Sequence, residues 1–180
     1  MTECIALLRG VNVGRAKRIA MAELRSLFVE LGHKDVRTLL NSGNVLFRCT
    51  RPNAGKLALS IQNAIADTHG FSASVTVVTA ADLAAIIREN PLLHLAVDPS
   101  KHLVAFAAHP RSLVPLRSLM EESWAPDALA IGSRSAYLWC AAGVLDSKLS
   151  QIFARRAGDT VTTRNWATVL KLHAASNMSA

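Results

Sequence analysis

The residues with most to offer chemically lie where the first apolar run ends: Arg9, Gly10, Asn12, Gly14, Arg15, Lys17 and Arg18. Four cations, two glycines and one side-chain amide fall between positions 9 and 18. Glycines permit backbone torsions closed to other residues and let a ligand approach the main chain. A strand, a glycine loop and a helix in succession can aim amide N–H groups at an anion, and the cations add attraction. The stretch is neither GxGxxG nor a Walker loop, since no Gly-Lys-Ser/Thr follows, so a nucleotide-type phosphate loop is not specified. The competing reading is a tight β–α turn fixed by its glycines, with the Asn12 side chain bonded to backbone.

Two more stretches carry polar groups. Asn41, Ser42, Gly43 and Asn44 separate two β-prone runs, where Asn and Gly serve a turn that needs positive φ. Their amides would join a site only if the fold brought them to the first loop. Thr163, Arg164, Asn165 and Trp166 read as a helix start, with Thr163 as N-cap. An arginine beside free helix amides can bind phosphate or carboxylate. Trp166 can stack on a base or serve the core. These three stretches are the candidate ligand-binding residues.

Nothing specifies a reaction. Ser147-Lys148 reads as an N-cap and a surface charge, Glu121-Glu122 as a solvated helix end. His94, His102 and His109 lack ligand spacing, and no cofactor is implied. Cys4, Cys49 and Cys140 are dispersed and odd in number, with no CxxC pair, so neither a metal site nor a disulfide framework is expected. They read as small buried hydrophobes in a reducing compartment.

The elements that must position these residues follow from periodicity. Residues 4–9 read as a strand apolar on both faces, hence buried on both. Met21, Leu24, Leu27, Phe28 and Leu31 follow helical spacing, and Gly32 fits a left-handed C-terminal cap. A hairpin is expected over 36–47, a helix opened by Pro52 and Asn53 and ended by Gly70, and a strand at 74–78. The order βαββαβ suits a ferredoxin-like split sandwich, an antiparallel sheet with helices on one face. Its strand order puts the first and third strands side by side. The loop 10–18, the turn 41–44 and the region of His69 and Gly70 should then share one end of the sheet, and Cys4 should lie near Cys49 at the other.

The second half repeats that order in a degenerate form. A linking helix is expected over 81–89, a strand at 102–108, a helix over 112–121 and a hairpin of 128–131 with 136–140. A helix over 147–156, a strand at 160–162 and a last helix over 165–173 follow. The expected fold class is therefore α+β, two ferredoxin-like βαββαβ units, divided as 1–79 and 80–180. Apolar residues on both sheet faces need a second cover, which the other half or a homodimer would supply.

Three stretches together resemble one family: Leu7 to Gly14, Asn41 to Val45, and Thr162 to Trp166 with Thr168 to Leu172. They are similar to the bacterial DUF1697 family of unknown function. The resemblance implies a ferredoxin-like α+β fold and no established activity. The family's loop usually continues with another glycine, then Lys and Asn, then a proline before the methionine; this chain has Arg15, Ala16, Lys17 and Ala20 there.

The chain has 180 residues, 51% of them hydrophobic, and a net charge of +7. No apolar run approaches the ~18 residues of a membrane span. The N-terminus lacks the charge-first pattern of a signal peptide, so a cytoplasmic protein is expected. Residues 1–79 carry ten Lys/Arg against five Asp/Glu, and residues 80–180 ten against eight. A cationic first half favours an anionic partner, either a small molecule or nucleic acid. The aromatic pair by which RNA-binding sheets stack bases is missing: the strands offer Ile5, Leu7, Val45 and Phe47.

Overall fold

The computed structural model describes residues 1–14, 16–95 and 97–178. The first half forms β1 (Thr2–Arg9), α1 (Met21–Glu30), β2 (Lys34–Leu39), β3 (Asn44–Cys49), α2 (Ala54–His69) and β4 (Ser74–Thr79). Its sheet is antiparallel, in the order β2-β3-β1-β4. That is the ferredoxin-like order expected from the sequence. Helix ends follow local chemistry. Asn53 caps α2 by accepting from the Lys56 amide at 3.0 Å. Gly70, with φ 71°, ends the same helix in the left-handed region.

After α3 (Ala80–Glu89) come β5 (His102–Ala107), a 3-10 helix (Pro110–Glu121), β6 (Ala128–Ile131), β7 (Ser135–Trp139), α4 (Lys148–Ala157), β8 (Val161–Asn165) and α5 (Trp166–Asn177). The second sheet is also antiparallel, in the equivalent order β6-β7-β5-β8. Here the structure departs from the sequence reading. The segment expected to be a helix from Ser112 is a 3-10 helix that starts at Pro110, with Leu113, Leu116 and Leu119 buried at every third position. The last strand runs on to Asn165 because it pairs with β5 as far as Leu103.

Chain contacts divide the molecule into two units. One is Met1–Leu83 with Leu172–Ala180, the other Ala84–Lys171, so the division falls inside α3 and inside α5. In the first unit, Cys4, Ala6, Leu8, Val45 and Phe47 meet Leu24, Phe28, Ile61 and Ile65 from the helices. Burying one such aliphatic side chain is worth roughly 1.5–3 kcal/mol. In the second unit, Leu103, Ala105, Ala136 and Leu138 meet Leu113, Leu116, Leu119, Leu149 and Phe153. Residues on the opposite sheet faces are buried too, among them Ile5, Leu7, Leu46, Val104 and Tyr137. In the second unit α3 is more than a linker. Tyr137 donates its hydroxyl to the Ile86 carbonyl at 2.7 Å, and the Ser133 amide donates to Glu89 at 2.9 Å.

Candidate functional site at the end of the first sheet

β1 and β3 run antiparallel with Leu7 opposite Asn44, so the loop leaving β1 and the turn entering β3 meet. The Leu8 amide donates to the Gly43 carbonyl at 2.8 Å, and the Asn12 Nδ2 donates to the Asn41 carbonyl at 3.1 Å. On the other side Arg9 pairs with Ser74, the first residue of β4 after the Gly70 turn. The convergence expected from topology is present.

Asn12 organises the loop. Its Oδ1 accepts the Ile19 amide at 2.9 Å, and its Nδ2 donates to the Ile19 carbonyl at 2.9 Å. Its own amide donates to the Lys17 carbonyl at 2.9 Å. The side-chain amide thus mimics a strand partner for Ile19 and ties the loop's two ends together. Gly10, Asn12, Gly14 and Lys17 all have positive φ. Arg18 folds back to donate to the Gly14 carbonyl at 3.0 Å. Val11 and Ile19, each 2% exposed, anchor the loop in the core. The sequence reading missed these two anchors; their signal is an apolar residue inside an otherwise polar, basic stretch.

Charge remains at the surface. Lys17, Arg18, Asn41 and Ser42 are exposed, whereas Arg9 and Asn12 are half-buried. Arg15 lies outside the described residues. Gly43 and Asn44 are buried. Asn44 donates to the Leu39 carbonyl at 3.0 Å and to the Ser42 hydroxyl at 2.9 Å, so its amide shapes the turn.

The third stretch lies in the second unit and is differently built from expectation. Thr163 and Arg164 are strand residues of β8, opposite Ala105 and Val104. The cap of α5 is Asn165, not Thr163: Asn165 Oδ1 accepts the Thr168 amide at 2.9 Å. Thr163 sits in the β8 ladder, two residues too early for that role. Trp166 is 7% exposed, with its ring edge-on to His102 at 5.4 Å, so it serves the core. Arg164 donates to the Thr163 carbonyl at 2.9 Å, and burial pushes its pKa down to about 10, leaving it a cation at neutral pH.

Surface grooves lie elsewhere. One of about 470 Å³ between α1 and the end of α2 carries Glu23, Ser26, Glu30, Thr68 and His69. Another, of about 360 Å³, lies in the second unit between Glu122–Asp127 and Asp146–Leu149. Among the described residues no three His, Cys, Asp or Glu converge to hold a metal ion, and no helix is long and apolar enough to cross a membrane.

Comparison with known proteins agrees with the fold. The conserved bacterial protein SP0830 from Streptococcus pneumoniae is similar in structure, with a TM-score of 0.75 and 21% identity over 96% of this chain and 97% of that one. No curated protein matches in sequence. The sequence model of DUF1697, described as a protein of unknown function, matches residues 1–137, which include both the Asn12 loop and the Asn41–Asn44 turn. The chain therefore belongs to the DUF1697 family.

Proposed function

We propose that the loop end of the first unit is a binding surface for an anionic ligand bearing phosphate or carboxylate. The observation that carries this reading is the Asn12 clamp. Bonds from Asn12 to Ile19, Lys17 and Asn41 hold a loop that exposes the cations Lys17 and Arg18. Among the described residues, neither Lys17 nor Arg18 forms an ion pair with a carboxylate. Cations held on a braced frame lose less conformational freedom on binding than cations on a mobile loop. Asn12 acts through that frame, since its amide protons are committed to carbonyl groups.

Nucleic acid presents the same backbone charge. The first sheet, however, offers no platform for bases, since Ile5, Leu7 and Leu46 are buried. A small anion is therefore preferred.

The test is a thermal-shift panel of inorganic phosphate, nucleotides, di- and tricarboxylates and mixed oligonucleotides, at low and moderate salt. Stabilisation by a small anion that disappears in Lys17→Ala/Arg18→Ala supports the reading. A response to oligonucleotides alone, falling steeply with salt, favours nucleic acid. No response to any anion at low salt overturns both.

A further inference from the structure

Two of the three cysteines meet in the first unit. Cys4 on β1 pairs with Phe47, and Cys49 on β3 pairs with Thr2, which makes the cysteines diagonal neighbours on the inner sheet face. Their sulfurs lie 3.5 Å apart. A disulfide bond is about 2.05 Å long, so the sulfurs need approach by only ~1.5 Å. The approach would draw on a shift of a strand end: Cys49 is the last residue of β3, and Thr50 and Arg51 beyond it are exposed. The two thiols differ in access. Cys4 is 0% exposed and Cys49 is 7% exposed. Burial, with the neighbouring Cys49 adding to it, pushes the Cys4 thiol up to about 12, and the more exposed Cys49 is the one a reagent reaches first. Cys140 belongs to the core of the second unit.

We propose that Cys4 and Cys49 form an oxidative modification site, converted to a cross-strand disulfide by a low-molecular-mass disulfide. The Cys49 thiolate attacks one sulfur of the reagent, forming a mixed disulfide and releasing one thiol. Cys4 then gives up its proton and attacks the Cys49 sulfur, expelling the second thiol. The two cysteines are oxidised by two electrons, and the reagent is reduced to two thiols. The product closes a loop between residues 45 positions apart and ties the N-terminal strand to its neighbour.

The experiment treats the full folded chain with oxidised glutathione, then alkylates, digests and weighs it. The expected result is loss of two hydrogens per chain, with the peptides of Cys4 and Cys49 joined. Cys4→Ala should stop at a glutathione adduct on Cys49, Cys49→Ala should take up no glutathione at Cys4, and Cys140→Ala should cross-link as before. Circular dichroism checks that each variant folds, and the wild-type mass stands without them. Two results overturn the proposal. One is a native chain that stays a dithiol while the same chain in denaturant cross-links. The other is Cys140 reacting before Cys49.

Discussion

Gly43 presses against Val11: a Cβ built on Gly43 would lie 2.6 Å from the Val11 Cγ2. It would also lie 2.7 Å from the Leu8 Cβ, and Gly43 has φ 74°. The turn therefore needs glycine for two independent reasons, torsion and space.

Gly43→Ala should accordingly cost about 2–4 kcal/mol, combining left-handed strain with overpacking. Urea denaturation measures it. Adding Val11→Ala should recover only part, because the contact with Leu8 remains and Val11 is itself core. Full recovery would show that torsion contributes nothing.

Asn12→Gly keeps the left-handed torsion, φ 57° in the native chain, and deletes the amide. The expected cost is about 1–3 kcal/mol, from lost hydrogen bonds and a stranded Ile19 amide. Hydrogen exchange at Ile19 should accelerate. Asn12→Asp should be worse, since its second oxygen would face the carbonyls of Ile19 and Asn41. If the clamp serves binding only as a frame, Asn12→Gly should weaken anion binding without removing any charge.

Histidines give the fold an acid-sensitive side. Burial lowers the pKa of His33 and of His102 below 6.5. The folded state then prefers the neutral rings. Their contribution is fully present above the unfolded value and is lost as pH falls below it. Urea midpoints should decline from neutral pH toward about pH 5. His33 lies between Phe28 and Phe47, with ring centroids 5.9 and 4.5 Å away. His33→Phe should therefore flatten part of that decline, and an unchanged slope would sink the assignment.

The cap of α5 gives a paired test. Asn165→Ala should cost about 1 kcal/mol through the stranded Thr168 amide. Thr163→Val, at an exposed strand position, should stay within ~0.5 kcal/mol. The reverse order in thermal melts would restore Thr163 as the cap.

Much of this is legible in the sequence. The βαββαβ order implied that β1 and β3 are adjacent, and adjacency alone placed Asn12 near Asn41 and Cys4 near Cys49. The backbone-bonding reading of Asn12 was among the two offered by composition; which atoms it holds was not, because Ile19 lies seven residues away across an irregular loop. The 3-10 helix was missed, although Leu113, Leu116 and Leu119 recur every third residue and all are buried. That spacing matches three residues per turn better than 3.6. The end of β8 was missed because Thr163, Arg164 and Asn165 have no strand-like apolar pattern; pairing with β5 decides their conformation.

The assignment of residues 172–178 to the first unit bears on how the chain is made. Arg37 on β2 donates to the Ala175 carbonyl at 3.2 Å, across 138 residues of chain. A nascent chain that has emerged as far as β4 holds both helices and all four strands of that sheet, yet Arg37 still lacks this acceptor. Completion of the first unit must wait for synthesis to pass Ala175, whereas Ala84–Lys171 is a continuous stretch that can close as it appears. The half synthesised first is thus the half finished last.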